Sequence, residues 1–290
     1  MAGQEGVALV TGASRGVGRG VAEALGAAGM TVYVTGRSVR QGEAQFRGQA
    51  LEGTVHDSAE AVTAAGGLGI AVPCDHGDDD EVRALFERIG REQGRLDILV
   101  NNALSIDDSL TDAGPFWEKP LAQAQMLDIG LRSAYVASHY AAPLLIKGGG
   151  LMAFISSFGA ACYMHGPAYG AQKAGSDKMA ADMAVDFEGH DVAVVSLWLG
   201  MQLTQRSALA SGGHPEHYRQ FLASAETPQF NGRLIHALWR DPERQKRSGQ
   251  VLISAELARE YGVLDEGGRQ PMSWREQLGG PRPFNPARVG

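Results

Sequence analysis

Val7-Ala8-Leu9-Val10-Thr11-Gly12-Ala13-Ser14-Arg15-Gly16-Val17-Gly18 opens the chain with an apolar run that passes directly into a glycine-rich turn. The run is short and apolar throughout, as expected of a strand in a covered sheet. Behind the turn, Gly16 to Ala28 carry small and apolar residues at helical spacing, and Thr31 to Thr35 form a β-branched run. Strand, turn, helix and strand in this order make a βαβ unit with parallel strands. A glycine-rich turn at such a strand-to-helix junction lets backbone N–H groups approach a pyrophosphate, while the helix N-terminus supplies positive potential. Gly12, Gly16 and Gly18 stand at the spacing G-x-x-x-G-x-G, and Ser14, Arg15 and Val17 complete the candidate loop.

Further strands are expected over Gly69 to Val72, Ile98 to Val100, Leu151 to Ile155, Val192 to Trp198 and Val251 to Ser254. Helices are expected over Asp79 to Glu92, Pro120 to Leu145, Ala168 to Glu188 and Pro215 to Ala225. This alternation predicts an α/β fold: a doubly wound parallel sheet of Rossmann type, in three α/β/α layers, as a single domain over residues 1–264. Ser38 to Gly67 is rich in Gly and Gln with weak periodicity, and part of it reads as a longer surface loop before or within a helix. Residues 265–290, with Pro271, Pro281, Pro283 and Pro286, read as an irregular C-terminal extension packed on the surface or on a neighbouring subunit.

A chain of 290 residues with 44% apolar content can bury a substantial core. Its formal charge of -7, from 26 basic and 33 acidic residues, argues against nucleic-acid and membrane-surface partners, which require a basic face. The expected partners are small molecules and further copies of the chain, as a homodimer or homotetramer. Cys74 and Cys162 are too few for a disulfide framework and read as reduced thiols of a cytoplasmic protein. The first ten residues lack the pattern of a signal peptide, and no run of about 18 apolar residues suggests a membrane span.

The second informative stretch is Tyr169-Gly170-Ala171-Gln172-Lys173, downstream of an apolar strand that ends in Ser156-Ser157. Residues i and i+4 share a helix face, so the Lys173 ammonium beside the Tyr169 phenol is expected to lower its reference pKa of about 10. An acid, a cation and a hydroxyl together suit carbonyl reduction. With the glycine turn they point to a nicotinamide-dependent oxidoreductase.

These motifs, with Asn101-Asn102-Ala103 at the end of the fourth strand, resemble the short-chain dehydrogenase/reductase family. The resemblance implies that Tyr169 donates a proton to the carbonyl oxygen, that Lys173 binds the nicotinamide ribose hydroxyls, and that a strand-end serine orients the carbonyl. Counting forward from Gly150 selects Ser157 for that role, counting back from Tyr169 selects Ser156, and strand register favours Ser157. It also implies that Asp75 meets the adenine amino group, that Asn102 and Ala103 border the cofactor, and that the Met201 backbone and Thr204 hydroxyl hold the carboxamide or diphosphate. Three positions depart from the family pattern: Leu104 replaces a Gly, Leu199 replaces a Pro, and Gly130 stands where a helix Asn is usual. The only asparagines are Asn101, Asn102, Asn231 and Asn285, so either a freed Gly130 carbonyl holds the relay water or the relay differs.

Cofactor choice turns on the end of the second strand, Thr35-Gly36-Arg37-Ser38, where no acid occurs before Glu43. Arg37 and Arg15 offer two guanidinium groups to a 2′-phosphate, so NADP(H) is expected, with NAD(H) possible if Arg37 is only a solvated loop residue. Stretches such as Val192 to Gly200, Ser224 to Thr227 and Gly249 to Arg269 resemble a branch of the family that implies NADPH-dependent reduction of steroid-like and xenobiotic ketones. Phe158, Tyr163, Met164, Met201 and Leu203 are expected to form the apolar pocket, and Gln202 to Ala225 a lid. The competing function is a non-catalytic NADP(H)-binding sensor or scaffold on the same fold. Ala174, Gly175, Ala180 and Ala181 would permit close helix approach between subunits. No metal is expected, because His214 and His217 have no third ligand in view.

Overall fold

A computed structural model describes residues 5–212 and 224–289. Its centre is a seven-stranded sheet of β1 (Val7–Val10), β2 (Thr31–Gly36), β5 (Leu68–Pro73), β6 (Ile98–Asn101), β7 (Leu151–Ser157), β8 (Ala193–Leu199) and β9 (Val251–Ile253). The spatial order is β5-β2-β1-β6-β7-β8-β9, and every pairing is parallel. β1 and β8 are buried at every residue, because helices cover both faces of the sheet.

On one face lie α1 (Gly16–Ala27), α2 (Val55–Ala64), α7 (Pro228–Arg240) and α8 (Ser254–Tyr261), which contribute Val21, Leu25, Val62, Phe230, Leu234 and Leu257 to one core. On the other lie α3 (Asp79–Gln93), α4 (Ser133–Gly148) and α5 (Pro167–Asp186), which contribute Val82, Phe86, Ala137, Leu145 and Ala180 to a second. Local chemistry sets the ends of these helices. Asp78 accepts from the Asp80 and Glu81 N–H groups at the start of α3, and Gly94 ends that helix in the left-handed region at φ 72°. The strand order reverses between β1 and β6, and a crevice opens there at the C-terminal edge of the sheet.

The expected α/β architecture is present, with three local corrections. In Ser38 to Gly67 the loop part holds an antiparallel hairpin, β3 (Ala44–Phe46) and β4 (Gln49–Leu51), ahead of a helix, α2, that begins behind a Thr54–Asp57 capping box. Pro120 to Leu145 is not one helix. A 3₁₀ turn (Leu121–Ala124) and a single α turn lead into a π turn (Asp128–Arg132) before α4 begins. The third correction concerns the small residues of α5. Ala180 is buried in its own core, and a side chain on Gly175 would meet Leu131, so both are used within the subunit.

The helix expected over Pro215 to Ala225 falls mostly outside the described residues, as do His214 and His217. Past Leu264 the chain has two short helical turns, Glu266–Gly268 and Arg275–Leu278. Asp265 is buried and accepts from the Thr227 backbone at 3.0 Å, while Trp274 packs with Phe158, Trp198 and Ile253.

Close packing of α1 on α7 gives a stability test. A Cβ on Gly20 would lie 2.3 Å from the Pro228 Cβ and 2.8 Å from its carbonyl carbon. Gly20→Ala is expected to lower stability by about 1–3 kcal/mol, read as a lower urea midpoint at unchanged m-value.

Candidate active site

The crevice at the sheet edge is a cleft of about 1340 Å³, larger than the roughly 300–1,000 Å³ typical of small-ligand pockets. The candidate cofactor and catalytic residues line it: Gly12, Ser14, Arg15, Gly16, Val17 and Gly18 from the first turn, Arg37, Ser38 and Asp75 from the ends of β2 and β5, and Asn102 and Ala103 after β6. Ser157, Tyr169, Lys173, Met201 and Thr204 line the remainder.

The glycine turn is shaped by contacts as well as by conformation. Gly12 and Gly16 have φ values of 64° and 56°, in the left-handed region. A Cβ on Gly12 would meet the Ala103 Cα at 2.7 Å, and one on Gly18 would meet the Asn102 amide at 2.5 Å. Asn102 donates its amide to the carbonyls of Thr11 (2.8 Å) and Gly12 (3.0 Å), so its side chain braces the turn. No side chain caps the α1 N-terminus, and no acid lies in its first turn. Its free N–H groups therefore face the cleft as an anion site, which is what a dinucleotide pyrophosphate requires.

At the far end, the Tyr169 hydroxyl and Ser157 Oγ lie 2.9 Å apart. Ser156, which also lines the cleft, is buried and donates to the Lys173 carbonyl at 3.3 Å, so Ser157 is the one whose hydroxyl meets Tyr169. Lys173 Nζ donates to the Ile155 carbonyl at 3.1 Å and stands 5.4 Å from the centre of the Tyr169 ring. Burial pushes the Lys173 ammonium down to about 8, opposed by Asp177 one turn further along α5. Asp177 accepts in turn from Ser196 Oγ (2.6 Å) and Trp198 Nε1 (2.9 Å).

The phenol departs from expectation. Burial raises the Tyr169 pKa above its ordinary value, opposed by the bond to Ser157. The Lys173 ammonium is aimed at the Ile155 carbonyl and lies over the Tyr169 ring.

The departure at Gly130 has a packing explanation. The Gly130 carbonyl, inside the π turn, accepts from Gln172 Nε2 at 2.9 Å. A Cβ at Gly130 would meet the Leu104 side chain at 2.5 Å and the Gln172 side chain at 2.9 Å, so a larger residue there would require both to shift. This carbonyl is occupied by a side chain of the same subunit.

Arg37 is 67% exposed in its side chain and approaches Asp75 only to 3.9 Å. Arg15 donates to the Glu52 and Gly53 carbonyls at 3.2 and 2.6 Å, so its guanidinium is tied to the end of the hairpin. Glu43 accepts from the Val39 and Arg40 N–H groups within its own turn. Of the expected apolar wall, Phe158, Met164 and Met201 line the cleft. Tyr163 is 81% exposed and borders a smaller side pocket, while Leu203 borders neither cavity.

Several contributors carried no motif. Trp274 and Leu278 reach the cleft from the C-terminal segment. The hairpin crosses toward α6 (Gln205–Gly212): Arg206 lies 4.5 Å from the Phe46 ring centre and donates to the Asp107 carbonyl at 3.0 Å, while Gln205 accepts from the Glu52 N–H. Asp177 was within reach of sequence reasoning, four residues after Lys173 on the same helix face. The others depend on long-range contacts.

Among the described residues, no helix is long and apolar enough to cross a membrane, and no group of three or more His, Cys, Asp and Glu side chains could hold a metal. The family model for short chain dehydrogenases matches residues 6–211. The human protein named dehydrogenase/reductase SDR family member 1 is 40% identical over 275 residues, covering 91% of this chain and 84% of the relative. A 3beta-hydroxysteroid dehydrogenase of Mediterraneibacter gnavus is 30% identical over 213 residues, 70% of each chain. Among solved structures, a Xanthomonas campestris protein aligns with a TM-score of 0.76 at 26% identity, covering 91% of this chain and 93% of the other. A short-chain dehydrogenase/reductase of Serratia marcescens aligns at 0.70 and 25%, covering 86% and 96%. On the match across residues 6–211 and the identity to these relatives, this chain belongs to the short-chain dehydrogenase family and is an NAD(P)-dependent dehydrogenase or reductase.

Proposed function

We propose that the protein is an NADP(H)-dependent oxidoreductase that reduces hydrophobic ketones, with Ser157, Tyr169 and Lys173 as its catalytic residues. The observation that carries the reading is the 2.9 Å contact between Ser157 Oγ and the Tyr169 hydroxyl in the cleft that also holds the uncapped α1 N-terminus. The dinucleotide, when bound, supplies the hydride. Ser157 and Tyr169 present two hydroxyls to one carbonyl oxygen: Ser157 orients it, and Tyr169 gives it a proton as charge develops there. Lys173 has donors left beyond its bond to Ile155 and can meet the ribose hydroxyls.

Support for NADP(H) comes from Arg37, exposed and only loosely paired, and from Glu43, whose carboxylate is engaged by its own turn. Arg15 contributes less than the sequence suggests, because backbone carbonyls hold its guanidinium. Phe158, Met164, Met201, Trp274 and Leu278 favour an apolar substrate body. The relative named a 3beta-hydroxysteroid dehydrogenase is in keeping with that substrate class. We also propose a homodimer or homotetramer.

Three outcomes are expected. Tyr169→Phe lowers ketone-dependent NADPH oxidation about 10²–10⁴-fold in kcat, with NADPH affinity within about threefold by fluorescence titration; tight binding without turnover by the wild-type protein on any ketone would support a sensor instead. Arg37→Asp shifts the NADPH to NADH ratio of kcat/KM by about ten- to a hundredfold toward NADH, because a charge-assisted hydrogen bond is replaced by a repulsion. Because burial holds Tyr169 above its ordinary value, the phenol keeps its proton from about pH 6 to pH 9. Reduction, which needs the acid, therefore shows no Tyr169-dependent loss over that range, while alcohol oxidation, which needs the phenolate, rises with pH; initial rates in both directions check the sign.

A further inference from the structure

At its C-terminal end, β8 passes into Gly200-Met201-Gln202-Leu203, and the first three of these residues line the cleft. Packed against this stretch is Glu226, which is 1% exposed. Its carboxylate accepts from the Gly200 N–H at 3.2 Å, Gln202 Nε2 at 2.8 Å, Ser254 Oγ at 3.0 Å and Asn231 Nδ2 at 3.4 Å. Its backbone completes the junction: the Glu226 N–H donates to the Met201 carbonyl at 2.7 Å, and its carbonyl accepts from the Leu203 N–H at 2.9 Å. The fit is close, since a Cβ on Gly200 would lie 2.7 Å from Glu226 Oε1.

Among these partners every donor is neutral. A buried carboxylate held in this way is costly unless all its acceptor positions are used. Burial raises its pKa to about 7, with the four donors opposing that rise. The donors come from three places: the β8 exit, Asn231 in α7, and Ser254 at the start of α8. Glu226 thus ties the cleft-facing segment to α7 and α8.

We propose that Glu226 is a positioning residue for the dinucleotide, fixing Gly200 to Leu203 in the binding-ready arrangement before the cofactor arrives. The inference rests on reading this cleft as a nicotinamide dinucleotide site. If the tie is lost and the ready arrangement falls to about a tenth of the population, apparent affinity falls about tenfold. Glu226→Gln weakens the tie with little change of volume, because a neutral amide oxygen replaces the carboxylate that accepts from the Gly200 N–H, Gln202 Nε2 and Asn231 Nδ2.

The test compares wild type, Glu226→Gln and Ser254→Ala by NADPH fluorescence titration, by amide hydrogen exchange over residues 200–203 without dinucleotide, and by thermal midpoint. Glu226→Gln is expected to weaken NADPH about tenfold and speed exchange at Leu203, with kcat at saturating NADPH within about threefold. Ser254→Ala moves both readouts in the same direction by a smaller factor. NADPH binding as tight as wild type in both variants overturns the proposal, as does a lowered thermal midpoint with affinity and exchange unchanged. Should Glu226→Gln not fold, Ser254→Ala decides by the same readouts. Wild-type protein that binds neither NADPH nor NADH would instead overturn the dinucleotide reading of the cleft.

Discussion

The site depends on the stitch between the ends of β1 and β6, where the sheet order reverses. The Thr11 hydroxyl accepts from the backbone N–H groups of Asn102 and Ala103 at 2.9 and 3.0 Å and donates to the Val100 carbonyl at 3.3 Å. The Asn102 amide closes the junction from the other side onto Thr11 and Gly12. These bonds hold the glycine turn against the neighbouring strand, so the α1 N-terminus opens into the crevice instead of collapsing over it. Buried backbone groups must find partners, and here two short polar side chains supply them where the sheet ladder ends.

At the catalytic end, desolvation outweighs the nearby charges. Lys173 is depressed to about 8 and Tyr169 raised, both chiefly by burial. Asp177 sits under the lysine and is held by Ser196 and Trp198 on β8, so the charge balance of α5 is anchored in the adjacent strand. The lysine is bonded to the Ile155 carbonyl at the end of β7.

The walls of the cleft come from parts of the chain distant in sequence. The hairpin of β3 and β4 meets α6 through Arg206, which lies against Phe46 and the Asp107 carbonyl. The C-terminal segment is pinned by Asp265 on Thr227 and by Arg275 on Glu256, and this brings Trp274 into the cluster around Phe158. Thr227 adjoins Glu226, so the tie behind the β8 exit and the anchor of the C-terminal segment share one stretch of backbone.

The sequence by itself determined the βαβ opening, the parallel sheet and the cleft-lining motifs, because strand periodicity, glycine turns and i, i+4 spacing are local properties of Val7 to Gly18 and Tyr169 to Lys173. It also marked Gly130 as unusual. Tertiary structure alone decided that Gln172 takes the Gly130 carbonyl, that Arg15 is spent on the hairpin, and that the Tyr169 pKa rises rather than falls. The break in the helix expected over Pro120 to Leu145, and the roles of Glu226 and Trp274, were likewise invisible along the chain. Each depends on which distant group fills a buried position and how far water is excluded from it, and such contacts leave no periodic trace in sequence.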